Sequence, residues 1–239
     1  MKNENIEDII FKNLIKTEKE FLKILGIKEH LTQCLNTELE VIPNKILHPD
    51  LVFDTTEEKI IHIEFQSTYN LQENYKRFCA YDSLLDLKYN KEIETIIIYT
   101  CNIKNPKKQL KRGNITYQPR IITFKNKNSD TLFKNIENKI KYNQEITQEE
   151  FMELVYTIFM GGTTSLKERI HKIIDINKKY NKTEKLKNNI ILTTFNFSKK
   201  ILDKKDFEEL KNEMSIHAAV KEIYDEGKIK GIKEGKKEG

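Results

Sequence analysis

The segment KIIHIEFQ at residues 59–66 constrains the fold more than any other part of the chain. Apolar and polar side chains alternate along it, and a β-strand sends successive side chains to opposite faces. Ile61, Ile63 and Phe65 therefore share one face, which must be packed in a core. The other face consists of His62, Glu64 and Gln66. The segment predicts a strand with an unusual row of polar groups along one side.

Two more segments with extended character precede this strand. They are LEVI at residues 39–42 and ILHPDLVFD at residues 46–54, in which Pro49 indicates a bend or bulge. Only residues 55–58 separate the second segment from residues 59–66. We therefore expect those two segments to form an antiparallel hairpin.

A helix and another strand follow the hairpin. Residues 71–89 have a buried stripe at helical spacing, and the isoleucine run of IETIIIYT at residues 93–100 is typical of a strand buried on both faces. A strand, a helix and a strand in succession predict a right-handed crossover with parallel pairing. A further helix is predicted at residues 6–25, and residues 115–124 add an edge strand or two. The resulting order, α-β-β-β-α-β, predicts an α/β fold with a mixed sheet.

The remaining segments are mostly helical in pattern. Residues 28–36 are predicted to form a short helix before the sheet. Beyond the sheet, the segments with helical periodicity are 130–141, 147–160, 164–177, 183–199 and 203–224. We therefore divide the chain into a sheet domain at 1–125, a helical region at 126–224 and a Lys/Glu/Gly-rich tail at 225–239.

Composition limits the classes of partner. The chain has a formal net charge of +5 at pH 7, which suits a polyanion without requiring one. Its three cysteines have no C-x-x-C spacing, which argues against a disulfide framework or a zinc site. The N-terminus is too polar for a signal peptide, and no apolar run of about 18 residues predicts a membrane span. These features favour a cytoplasmic protein with no membrane partner.

Two acidic residues meet at one end of the predicted hairpin. Asp50 follows Pro49, and in a hairpin that turns around residues 55–58 it lies close to Glu64. Gln66 lies two residues further on, on the same face as Glu64. The sequence therefore predicts two carboxylates and an amide at one spot.

Carboxylate oxygens of this kind, with the carbonyl oxygen of Phe65 as a further candidate, are the hard ligands that Mg²⁺ prefers. Mn²⁺ would fit the same ligands. A metal bound here could hold a phosphate group and lower the pKa of an attacking water. The predicted chemistry is metal-assisted hydrolysis of a phosphodiester.

The motif Pro49-Asp50…Glu64-Phe65-Gln66 resembles that of the PD-(D/E)XK nuclease superfamily, and the order α-β-β-β-α-β resembles its restriction-endonuclease-like core. The phrase DLVFDTTEEKIIHIEFQSTYN is similar to the signature of the Rpn-like group, recombination-promoting nucleases often labelled transposases. Arg77 and Tyr81 match the helix that follows in that group. The resemblance is clearest over residues 37–100. It implies a metal-dependent DNA endonuclease linked to DNA recombination or mobile elements.

The resemblance also implies roles for individual residues. Asp50 and Glu64 would be catalytic metal ligands, and Gln66 would stand where the superfamily has a lysine. An amide can donate a hydrogen bond but brings no charge to the phosphate. An activity weaker than that of the superfamily is therefore an open alternative. Members often add an acidic ligand, and the candidates here are Glu18, Glu20, Glu38 and Glu40.

Basic residues near this site predict contacts with DNA. Arg77 lies on the following helix, and a cluster after the buried strand comprises Lys104, Lys107, Lys108, Lys111 and Arg112. Such side chains can hold the phosphate backbone, although a solvated loop in a lysine-rich protein is an equal alternative. Arg77 and Tyr81 could instead form a surface salt bridge and a core contact. We expect His62 on the solvent side of its strand, where a structural role is the first interpretation of a histidine.

Two other functional classes stay open from the sequence. One is a nucleic-acid-binding protein of the same fold with weak or no catalysis. The observation behind this alternative is the neutral glutamine at position 66. The other is an interaction protein whose helical segments and charged tail serve assembly. A homodimer is considered alongside DNA as a partner of the nuclease. Salt-sensitive DNA binding without cleavage would indicate the first class. Absence of DNA binding at low salt would indicate the second.

Overall fold

The computed structural model describes residues 10–12, 14–15, 20–42, 45–179 and 182–214. The chain divides into two compact units. The first comprises the described residues up to 128 together with 159–161, and the second comprises 129–158 and the described residues from 162 onward. The assignment of a nuclease domain, a helical region and a tail to separate roles stays a prediction.

The first unit is built around a mixed sheet. Its strands are β1 (Leu31–Cys34), β2 (Leu39–Ile42), β3 (Lys45–Leu47), β4 (Leu51–Thr55), β5 (Lys59–Gln66), β6 (Glu92–Tyr99), β7 (Leu110–Arg112), β8 (Ile115–Tyr117) and β9 (Arg120–Thr123). Five of them form one sheet in the order β1-β4-β5-β6-β9. Pairing is antiparallel from β1 to β5 and parallel from β5 to β9. The α/β class with a mixed sheet is confirmed.

The β4–β5 hairpin forms as predicted. Leu51 pairs with Ile63, and the register continues to Asp54 opposite Ile60. The single extended segment expected at residues 46–54 is broken at Pro49, so that β3 and β4 are separate strands. Proline has no backbone N–H to donate to a ladder, which explains the break.

Helices lie on either side of this hairpin in the chain. Residues 10–12 and 14–15 are helical, and α1 (Glu20–Ile24) ends before Gly26, which has the positive φ of a helix terminus. The rest of the helix predicted at residues 6–25 lies outside the described residues. Helix α2 (Leu71–Tyr89) connects β5 to β6, which pair in parallel as predicted.

Both faces of the central strand β5 are covered. The helix α2 packs its buried aromatic residues, among them Tyr75 and Phe78, over the face that contains Ile60. His62 and Glu64 share that face by alternation and so lie beneath α2. On the other face, the ring of Phe65 stacks on Phe11. The polar row of β5 is therefore buried rather than exposed.

The prediction of a helix at residues 28–36 is wrong. Residues 31–34 form β1, which pairs with the outer edge of β4, and Leu35 N–H extends this pairing to the carbonyl of Val52. Unpaired N–H and C=O groups along a strand edge need partners, and β1 supplies them. The segment at 39–42 pairs instead with β3, outside the main sheet.

A small hairpin extends from the sheet between β6 and β9. Strands β7 and β8 pair from Leu110 opposite Tyr117 to Arg112 opposite Ile115, and Gly113 adopts a positive φ in the turn. Of these strands, β8 and β9 fall within the predicted edge segment at 115–124, whereas β7 was not predicted.

The described part of the second unit is helical. Its helices are α3 (Ser129–Lys141), α4 (Gln148–Glu153), α5 (Leu166–Lys179), α6 (Glu184–Ile201) and α7 (Lys204–Met214). The described residues also include two 3₁₀ segments, at Phe124–Asn126 and Leu154–Phe159. The second replaces the end of the α-helix expected at 147–160. The predicted helix beyond residue 214 and the tail at 225–239 lie outside the described residues. No helix that the structure describes has the length and apolar character required to cross a bilayer.

Candidate functional site

The candidate site lies where β5 runs past the start of β4. Pairing with β4 begins at Leu51 opposite Ile63, so Phe65 extends beyond the paired part of the hairpin. Its backbone groups are satisfied by side chains: Phe65 N–H donates to Asp50 Oδ2 at 2.9 Å, and Gln66 Nε2 donates to the Phe65 carbonyl at 2.6 Å. The predicted site residues thus close the open end of the hairpin themselves.

Asp50 and Glu64 meet at this end, as their spacing predicts. The backbone N–H of Asp50 donates to Glu64 Oε1 at 3.0 Å. Together with the bond from Phe65 N–H to Asp50, this ties each carboxylate to the backbone of the other strand. Two hydrogen bonds from backbone N–H groups to carboxyl oxygens fix the geometry of the pair.

Glu64 is almost fully buried, with 1% of its surface exposed. Burial raises the pKa of this carboxyl group, and the nearby charge of Asp50 raises it further. His62 and Arg77 oppose both effects by favouring the carboxylate. A buried acid is tolerated only with such partners, so the surroundings of Glu64 decide its charge.

His62 is the closest of these partners and is fully buried. Its Nε2 lies 3.0 Å from Glu64 Oε1, and its Nδ1 lies 2.7 Å from Asp82 Oδ1. Burial alone lowers the pKa of His62, but the hydrogen bonds to Asp82 and Glu64 and the charges of both raise it to about 9. The imidazolium form then donates to both carboxylates. The expected solvent-side position of His62 is wrong, because α2 covers that face of β5.

Asp82 anchors the far side of the histidine. Its Oδ2 accepts hydrogen bonds from Thr95 Oγ1 at 2.6 Å and from Tyr117 O–H at 2.8 Å. Hydrogen bonds therefore run from Tyr117 on β8 through Asp82 and His62 to Glu64. The sequence interpretation missed Asp82, although an acidic residue within the buried stripe of α2 was a usable signal.

Two cations stand beside the carboxylates. Lys12 Nζ lies 3.2 Å from Asp50 Oδ1, and the two side chains are 15% and 9% exposed. Arg77 Nη2 lies 3.6 Å from Glu64 Oε2, and its guanidinium group lies over the ring of Phe78 at 4.9 Å. Arg77, predicted as a DNA contact, is thus a neighbour of Glu64. Lys12 was not singled out from the sequence.

The other predicted residues have the following places. Gln66 is buried, and its amide is turned toward the Phe65 carbonyl. Tyr81 is buried with its ring against that of His62. Among the candidates for a third acidic ligand, Glu38 is exposed. Glu18 and the side chains of Glu20 and Glu40 lie outside the described part of the chain, and their roles stay predictions.

The predicted DNA-contacting cluster is solvent-accessible. Lys104, Lys107, Lys108, Lys111 and Arg112 are all exposed. The start of this segment is tied to α2 and to the loop before it, because Tyr75 O–H donates to the Lys107 carbonyl at 2.6 Å and Lys107 N–H donates to Tyr69 at 3.0 Å. The cluster therefore presents positive charge from an anchored position.

Mg²⁺ is the metal predicted from the oxygen ligands at this site. Within the described ranges, no group of three or more His, Cys, Asp and Glu side chains has an arrangement suited to a metal ion. Mg²⁺, however, is usually held by one or two carboxylates with water and substrate phosphate. Glu64 Oε1 accepts two hydrogen bonds, one from Asp50 N–H and one from His62, whereas Oε2 faces Arg77. Asp50, Glu64 and the Phe65 carbonyl therefore match Mg²⁺ in ligand type, whereas their oxygen atoms also bond to Lys12, Arg77 and Gln66.

The comparisons with known proteins add no relative. No family model, no curated protein and no solved structure matches this chain. The function is therefore inferred from the geometry of the site and from the sequence motif.

Proposed function

We propose that this protein is a metal-dependent DNA endonuclease of the PD-(D/E)XK type. The observation behind this proposal is the crossed hydrogen bonding of Asp50 and Glu64 at the open end of the β4–β5 hairpin. Two carboxylates held together beside a strand end, with cations on both sides, suit phosphodiester hydrolysis better than any other chemistry of the described residues.

The topology supports the same proposal. An antiparallel set, β1-β4-β5, is followed by a helical crossover to the parallel strand β6. This arrangement fits the α-β-β-β-α-β order of the restriction-endonuclease-like core, with Asp50 directly before the second of these strands and Glu64 on the third. The Rpn-like assignment and the link to recombination or mobile elements rest on the sequence motif.

The chain's own residues would act in defined ways. Asp50, Glu64 and the Phe65 carbonyl would hold Mg²⁺ or Mn²⁺, which when bound polarises the phosphate and lowers the pKa of the attacking water. His62 holds Glu64 in place through Oε1 and leaves Oε2 directed toward Arg77. Gln66 holds the strand end by its bond to Phe65.

The exposed basic cluster would supply affinity for DNA. Lysine and arginine side chains contact backbone phosphates irrespective of sequence, which suits the residues around β7. The residues proposed to make these contacts are Lys107, Lys108, Lys111 and Arg112, with Arg77 nearer the carboxylates. A cytoplasmic location and a homodimer belong to the same proposal.

The test is a cleavage assay on supercoiled and linear DNA with Mg²⁺ or Mn²⁺. We expect Asp50→Asn and Glu64→Gln each to lower the rate by about 100-fold or more, since each removes a charged ligand. Asp54→Asn is the matched control, because Asp54 lies near the other end of β4 and is paired with Lys91 at 2.6 Å, away from the carboxylate pair. Cutting that survives both site substitutions would place the activity elsewhere.

A second candidate is a DNA-binding protein of the same fold without turnover. The observation in its favour is that Gln66 is neutral and its amide is already bonded to the Phe65 carbonyl. Salt-sensitive DNA binding by the wild type, with no cutting in either metal, would support this candidate over the nuclease.

A further inference from the structure

Hydrolysis of a phosphodiester develops negative charge on the phosphate in the transition state, and enzymes stabilise it with fixed cations as well as metals. Gln66 cannot supply that charge. It is buried, and its Nε2 donates to the Phe65 carbonyl at 2.6 Å. The cation of this site must therefore come from another element.

Lys12 lies in the required place. Its Nζ lies 3.2 Å from Asp50 Oδ1, and 15% of its side chain is exposed. A metal held by Asp50 would bring the substrate phosphate to the same carboxylate, and the Lys12 ammonium group would then lie beside that phosphate. Because little of the Lys12 side chain is exposed, water screens its charge less than it would on an open surface.

The backbone that bears Lys12 is held firmly. The preceding residue, Phe11, is fully buried and its ring stacks on Phe65 with centroids 4.7 Å apart and planes inclined by 7°. Leu14 and Ile15 of the same helical segment are also buried. Since Phe65 follows Glu64 directly, this stack fixes Lys12 relative to the acidic pair. A preorganised cation needs such support.

Arg77 is the rival cation, and the geometry separates the two. Its Nη2 lies 3.6 Å from Glu64 Oε2, and 31% of its side chain is exposed. Lys12 makes the closer ion pair and is the more buried of the two. Lys12 is therefore better placed for the reacting phosphate, and Arg77 for the adjoining DNA backbone.

We propose that Lys12 is a catalytic residue whose ammonium group contacts the scissile phosphate, supplying the positive charge that Gln66 lacks. This rests on the proposed nuclease function. In the step, a bond forms between phosphorus and the attacking water oxygen, and the bond from phosphorus to the leaving sugar oxygen breaks. The water gives up a proton to solvent, the leaving oxygen takes one from solvent, and Lys12 keeps its own.

The experiment measures cleavage of a labelled DNA duplex at saturating Mg²⁺ by the full chain and four variants. We expect Lys12→Gln to lower kcat by about 100-fold, and Lys12→Arg to lose less because it keeps the charge. Restoring a cation from the other side, in the double variant K12Q/Q66K, should recover at least about ten-fold over K12Q. Lys23→Gln, an exposed lysine on α1, is the matched control and should cut like the wild type.

Two further measurements separate catalysis from a structural effect. The unfolding temperature should change little in Lys12→Gln. The Kd for DNA, measured in EDTA, should change by less than about three-fold, because one phosphate contact adds little to overall affinity. A lysine needed only to hold Asp50 would instead lower the unfolding temperature, and a new lysine at position 66 would not repair it.

The outcomes distinguish this proposal from the nuclease proposal. If Lys12→Gln cuts like the wild type while Asp50→Asn and Glu64→Gln are inactive, the role of Lys12 is refuted and the nuclease stands. The role of Lys12 is equally refuted if K12Q/Q66K unfolds at the same temperature as K12Q and recovers no activity over it. If the wild type does not cut, or cuts independently of Asp50 and Glu64, the nuclease proposal fails and takes the role of Lys12 with it.

Discussion

Asp50 and Glu64 are joined by two crossed hydrogen bonds: Asp50 N–H donates to Glu64 Oε1 at 3.0 Å, and Asp50 Oδ2 accepts from the N–H that follows Glu64 at 2.9 Å. Each carboxylate therefore fixes the backbone next to the other. The same atoms that would bind a metal also complete the end of the β4–β5 hairpin. Stability and activity are coupled at this point, and substitutions there must be chosen to separate them.

The first prediction concerns Asp50 and stability. Asp50→Ala leaves the buried N–H of Phe65 without an acceptor and should lower the free energy of unfolding by about 1–3 kcal/mol. Asp50→Asn keeps an oxygen at that place and should cost less. Urea unfolding of both variants without metal checks this order. Equal losses in the two variants would mean that the bond to Phe65 N–H contributes nothing measurable.

The second prediction concerns the hydrogen-bonded path behind Glu64. Asp82→Asn weakens the hold on His62 and, through it, on Glu64, so the Mg²⁺ concentration for half-maximal cutting should rise about 10–100-fold. Tyr117→Phe removes one bond from Asp82 and should raise it by less. Tyr142→Phe, at an exposed tyrosine, is the control.

Titration calorimetry with Mg²⁺ reads the same effect without turnover. An unchanged Mg²⁺ affinity in Asp82→Asn would show that Glu64 keeps its position without the histidine. A lowered unfolding temperature with unchanged affinity would assign Asp82 to packing of α2 alone.

Local patterns were sufficient for the hairpin, the crossover and the acidic pair. The alternation in β5 and the isoleucine run in β6 are properties of single strands, and a short turn fixes which residues of a hairpin are opposite. Asp50 and Glu64 could therefore be paired from spacing. The strand β1 could not be predicted this way, because its side chains are mostly exposed and its pairing is supplied by the edge of β4.

The rest of the site depends on packing between distant segments. Lys12 contacts Asp50 and Asp82 contacts His62 from helices on opposite sides of the sheet, and no local pattern reports such contacts. His62 was misplaced for a related reason. A polar row that is buried and internally hydrogen-bonded has the same alternation as a solvent-facing row, and only the position of α2 distinguishes the two.

The third prediction concerns pH and the second unit. Thr163 donates its N–H and O–H to Asp130 at 2.6 and 2.8 Å, and Thr164 N–H donates at 3.1 Å. These bonds hold the pKa of Asp130 well below its usual range, and the charge of Arg169 lies nearby. Because the folded pKa is depressed, Asp130 stabilises the fold above its unfolded pKa of about 3.9, and this contribution is lost as pH falls further.

Asp130→Asn should therefore lower the unfolding temperature at pH 7, and the gap from the wild type should narrow as pH falls below about 4. Asp175→Asn, at an exposed aspartate of α5, is the control and should show no such gap. Thermal unfolding followed by circular dichroism from pH 7 to pH 3 measures both. A gap that stays constant over this range would mean that the charge of Asp130 is not what stabilises the segment at Thr163.

The fourth prediction concerns the basic cluster around β7. Replacing Lys107, Lys108, Lys111 and Arg112 together by glutamine should weaken DNA binding and flatten its dependence on salt, by about 0.9 in log–log slope for each phosphate that the variant no longer binds. The matched control replaces four exposed lysines of the second unit, namely Lys199, Lys200, Lys204 and Lys205. Both quadruple variants have the same net charge, so a general loss of positive charge affects them equally. A slope that falls alike in the two would indicate diffuse attraction rather than contact at the hairpin, whereas a fall confined to the first would place the DNA backbone against β7.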